Sequence, residues 1–146
     1  MLTRPEADLL NRLAAAPGLY RGRGDGPEIG PFLGRMRVAT IVRGRAVTLD
    51  YEATTDRDGV RHLEHTVLIT GPAGGLELHV ACLDLPGVTR FVETAQPGVF
   101  RAYEGALAAR IVLGSPRPGQ LSYAWWWARG ESEPREQSRC DLRRTG

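Results

Sequence analysis

One stretch of the chain concentrates side chains able to hold a small molecule. Between Gln120 and Ala128, Leu121, Tyr123, Trp125 and Trp127 alternate with Ser122, Ala124 and Trp126. A strand here stacks the four large side chains on one face. That face would give a pocket one wall of flat, polarizable surface with hydrogen-bonding tips. His65 stands in the apolar row Leu63-His65-Val67-Ile69 and is expected to point inward with it. There an imidazole could contact a ligand or serve as an acid/base. Tyr51 follows Val47 and Leu49 and is expected on the same inner surface. Arg90 alternates with Val88 and Val92, and Arg110 with Ala108 and Val112. Either arginine, turned inward, would offer a planar fork to a ligand anion.

Other constellations are excluded. All nineteen basic residues are arginine and lysine is absent, which removes Schiff-base chemistry and a phosphate-loop lysine. Gly22-Arg23-Gly24-Asp25-Gly26 is glycine-rich but leads into no helix, so it is no dinucleotide fingerprint. His62 and His65 project to opposite faces of a strand and cannot chelate one ion. The four serines sit in no nucleophile motif, and no catalytic residue is assigned. Cys82 and Cys140 lie far apart with no zinc-like spacing, so no metal is expected and reduced thiols in a cytoplasmic protein are. A net charge of +2 argues against a nucleic-acid partner. No apolar run approaches the length of a membrane span.

The elements that must position these residues are almost all strands. Thr3 and Glu6 form a capping box, Pro5 suits the first turn, and Leu9, Leu10, Leu13 and Ala14 make a narrow apolar stripe. A helix is therefore expected over about residues 4–16, stopped by Pro17-Gly18. Beyond it, period-2 segments are broken by glycine and proline. Strands are expected over Leu19–Arg23, Leu33–Val42, Ala46–Thr54, Arg61–Thr70, Leu76–Leu83, Val88–Thr94, Val99–Glu104, Ala106–Leu113, Gln120–Ala128 and Glu136–Arg143. Short connections such as Arg57-Asp58-Gly59 and Pro97-Gly98 favour antiparallel neighbours. Ten such strands in an open sheet would expose two long edges, and closure removes both. The expected fold is all-β: a single domain over residues 1–146, a ten-stranded antiparallel up-and-down β-barrel with a short N-terminal helix.

The helix leading into Gly18-Leu19-Tyr20-Arg21-Gly22-Arg23-Gly24 resembles the opening of calycins, the superfamily of lipocalins and fatty-acid-binding proteins. Tyr20 stands where those chains usually carry tryptophan. The succession is similar to bacterial lipocalin-like families and to nitrobindins. The resemblance implies a barrel that holds a small apolar or amphipathic molecule without catalysis. It does not extend to haem as cofactor, because nitrobindins take a proximal histidine from the C-terminal part and no histidine follows His79. The expected ligand-binding residues are Tyr51, His65, Arg90, Arg110, Tyr123, Trp125 and Trp127. Two other readings stay open: a barrel enzyme (isomerase, decarboxylase or hydrolase) with His65 as acid/base, and an interaction protein using Trp126. A homodimer is also left open.

Overall fold

A computed structural model describes residues 5–103, 108–128 and 133–145. One helix, α1 (Pro5–Ala14), precedes ten strands: β1 (Gly18–Asp25), β2 (Phe32–Ile41), β3 (Ala46–Thr55), β4 (Gly59–Thr70), β5 (Leu76–Cys82), β6 (Leu85–Glu93), β7 (Val99–Ala102), β8 (Ala109–Gly114), β9 (Gln120–Trp127) and β10 (Arg135–Arg144). Each strand pairs antiparallel with the next, and β10 returns to pair with β1. The ring is closed, which is the expected barrel. Thr3 and the Glu6 side chain of the expected cap lie outside the described residues, as do Glu104 and Ala106 at the ends of two expected strands.

Closure depends on glycines of β1. A Cβ on Gly22 would lie 1.8 Å from the Asp141 carbonyl oxygen of β10. One on Gly24 would lie 2.1 Å from the Phe32 ring. The glycine-rich run is therefore where backbone and ring approach β1 too closely for any side chain.

The two ends of the barrel are built differently. At one end α1 packs against β2 and β3, its Leu9, Leu10 and Leu13 buried. Arg12 Nη1 donates to the Ser115 carbonyl in the β8–β9 connection at 2.9 Å, and Tyr20 Oη donates to the Ala16 carbonyl at 2.6 Å. The helix thus closes this end over buried Val47, Leu68, Leu76, Leu113 and Leu121. Each such side chain contributes about 1.5–3 kcal/mol relative to exposure. At the other end the ladder is irregular. Its register shifts between Ala53 and Thr54, between Val80 and Cys82, and between Glu136 and Ser138. Bulges at a barrel rim re-aim side chains or end the pairing. The result is a cup with one mouth.

Candidate functional site

Inside the mouth lies a cavity of about 430 Å³, walled by Phe32, Tyr51, Trp125 and Trp127, with His62 and Asp84 among its polar residues. The aromatic row of β9 supplies Tyr123 and Trp125 to the interior, both buried, and half-buried Trp127 nearer the rim. Tyr51 on β3 meets Tyr123 edge-on, with ring centroids 4.9 Å apart, and Phe91 meets Trp125 in the same manner at 5.7 Å. Aromatic pairs in this arrangement gain about 0.5–1.5 kcal/mol beyond the area they bury.

These rings bring polar tips indoors, and one carboxylate receives them. Glu64 on β4 is fully buried. Its Oε2 accepts from Tyr123 Oη and, at 2.9 Å, from Thr66 Oγ1. Its Oε1 accepts from Trp125 Nε1 at 2.9 Å and His62 Nε2 at 3.1 Å. A buried charge is tolerated only when its lone pairs are taken up in this way. Removing the acceptor would strand several donors away from water.

The second nitrogen of His62 faces another carboxylate, with Nδ1 3.1 Å from Asp84 Oδ2. The imidazolium form of the ring, with a donor on each nitrogen, would satisfy both carboxylates at once. Burial alone would lower the His62 pKa, but the bonds to Glu64 and Asp84 outweigh it and the net shift is upward. Burial, reinforced by the Glu64 charge, pushes the Tyr123 phenol well above its ordinary value and raises Tyr51 likewise. The Cys140 thiol, beside Tyr51, is pushed up to about 11, chiefly by burial. Cys82 at the cavity is also raised, first by burial. Both thiols are thus poor nucleophiles at neutral pH.

The structure corrects the expected parity of β4. His62, Glu64, Thr66 and Leu68 face inward, and His65 lies on the outer wall. There His65 Nδ1 sits 2.5 Å from Asp50 Oδ1 on β3, with both side chains about half exposed. An interior acid/base role for His65 is thereby removed. The pair borders a shallow outer depression of about 540 Å³ that also includes Arg35, Arg37 and Glu52.

Arg90 and Arg110 are also outside. Arg90 pairs in register with His79 and forks onto Glu77, with Nε 2.8 Å from Oε1 and Nη2 2.7 Å from Oε2. Its guanidinium carbon lies 4.1 Å from the centroid of the Tyr103 ring. The bond to Arg90 is the main cause that holds the Glu77 carboxyl below its ordinary value. Arg110 stands in register with Arg101 on β7 and Trp126 on β9, the outward set. The expected inner anion clamp is absent from these two positions. The apolar neighbours that suggested burial are themselves on the outer surface, Val88 and Val92 beside Arg90 and Ala108 and Val112 beside Arg110.

Two site residues were not anticipated, Glu64 and His62. Their signal lay in the partner strand: Tyr123 and Trp125 carry a hydroxyl and an indole N–H that need an acceptor once buried. Among the described residues no group of three or more His, Cys, Asp and Glu side chains could hold a metal. His62 has both nitrogens engaged, so it does not fit an axial haem ligand as it stands.

No protein-family model matches the chain, and no curated protein matches it. Solved structures match its fold. Rv2717c from M. tuberculosis aligns over 100% of both chains with 18% identity and a TM-score of 0.65. The S-type phycobiliprotein lyase CPES from Guillardia theta aligns over 94% of this chain and 90% of its own, with 11% identity and a TM-score of 0.58. The likeness is one of fold. No helix among the described residues is long and apolar enough to cross a membrane.

Proposed function

We propose that this protein is a non-catalytic binding module of calycin type that holds a small, planar, amphipathic molecule in the mouth of its barrel. The observation that carries the reading is the one-ended aromatic cavity of about 430 Å³, set over a polar cluster whose members are all hydrogen-bonded. Aromatic walls with a few fixed polar groups are the usual make-up of a small-molecule site. The plugged end gives the ligand one route in and out. The likeness in fold to an S-type phycobiliprotein lyase supports this reading.

Titration with 2-naphthol, followed by tryptophan emission, tests this. Saturable quenching is expected, weakened at least tenfold by Trp125→Ala together with Trp127→Ala. Native mass spectrometry of protein purified from its own host is expected to show a co-purifying small molecule. Absence of saturable binding and of any such molecule would sink the reading.

A further inference from the structure

The two carboxylates that grip His62 are not equivalent. Glu64 is fully buried and held by four donors. Asp84 sits in the Leu83-Asp84 turn between β5 and β6, its side chain 71% exposed. Among the described residues its carboxylate bonds His62 alone. Glu64 therefore fixes the ring, whereas Asp84 covers a charged N–H that faces the cavity mouth. An exposed turn carboxylate loses little on leaving, because water replaces its one bond. The Nδ1–H, on a side chain only 14% exposed, then needs another acceptor, and a buried donor left unmet is costly.

On the binding reading above, we propose that the cavity takes an aromatic carboxylate, whose carboxylate replaces that of Asp84 on His62 Nδ1. The ring of such a ligand lies among Phe32, Trp125 and Trp127, which line the same cavity. Arg61 lines it too, left without a partner in the ladder by the bulge opposite Ala53 and Thr54, and adds a second positive charge at the rim. Glu28 and Asp84 oppose it there. Asp84 thus holds the site in a self-occupied state until a better-anchored acid arrives. A bond of this charged type is about twice as strong as a neutral one.

The test uses the full chain and three probes of one shape: 2-naphthoate, 2-naphthamide and 2-naphthylmethylamine. By calorimetry 2-naphthoate is expected to bind about tenfold tighter than the amide. Asp84→Ala is expected to tighten 2-naphthoate several-fold and leave the amide unchanged, while His62→Gln removes the preference. Equal affinities for acid and amide, or an Asp84→Ala variant with unaltered 2-naphthoate binding, would overturn the carboxylate assignment and leave the cavity reading intact. Tightest binding of the amine would overturn it in favour of a cation held by Asp84 and Glu28. Failure of all three probes would defeat both readings. Asp84 lies on an exposed turn, so its variant decides the matter even where His62→Gln fails to fold.

Discussion

His62 and His65 belong to the same strand and each meets a carboxylate, yet the two pairs have different weights. His65 and Asp50 stand half exposed on the outer wall, where water competes for both charges and salt screens them. His62 lies inside, against a carboxylate with no exposure at all. There neither partner can turn to water, and each holds the other in a defined state. Position relative to the sheet, rather than the chemistry of the pair, decides whether an ion pair carries stability. The same holds for Glu64 and Glu77, both buried as residues: one serves the interior, the other locks an outer arginine.

The largest effect that would sharpen this contrast comes from Glu64→Ala. It strands the Tyr123 hydroxyl, the Trp125 indole and His62, and is expected to cost about 3–5 kcal/mol in urea unfolding. Tyr123→Phe removes one donor to the same carboxylate and is expected to cost about 1–3 kcal/mol. A pH series separates the histidines further. The folded pKa of His62 is raised above its ordinary 6.5, so its stabilisation is complete below about pH 6.5. It is lost as pH rises through the folded value. Burial and the neighbouring Glu64 and Asp84 shape that transition. Stability should therefore decline as pH rises above about 6.5 and through the folded value, and His62→Gln should flatten the decline. Smallest of all, His65→Ala or Asp50→Asn is expected to shift stability within about 0.5 kcal/mol. A His65→Ala loss as large as that of Glu64→Ala would break the comparison.

The fold was written in punctuation. Gly and Pro between period-2 runs located all ten strands, because positive φ at Gly98 and Gly119 in their turns and at Gly59 where β4 begins leaves few alternatives. Inward parity was legible where a row was wholly apolar, as for Val47, Leu49 and Tyr51. On β4 it was not. The inward row His62-Glu64-Thr66-Leu68 carries a carboxylate, while the outward row carries Leu63, Val67 and Ile69, so hydrophobic alternation points the wrong way. A charged group belongs inside only when donors from distant strands converge on it, and those donors are 59 and 61 residues away in sequence. The outer placement of Arg90 was hidden for the converse reason. Its partners Glu77 and Tyr103 come from other segments, and exposed Val88 mimics a core row.

The seam of the barrel has a consequence for how the molecule is made. Tyr20 lies in register with Arg144, and Gly24 with Cys140, so the ring is closed by the first and last strands of the series. Until β10 leaves the ribosome, β1 presents a free edge and the sheet cannot shut. Nearest-neighbour hairpins can form as they emerge, but the final contact spans almost the whole chain and carries a loop-closure cost of its own. A nascent chain stalled before β10 would therefore hold its tryptophans in an unsealed sheet, a natural client for a holding chaperone.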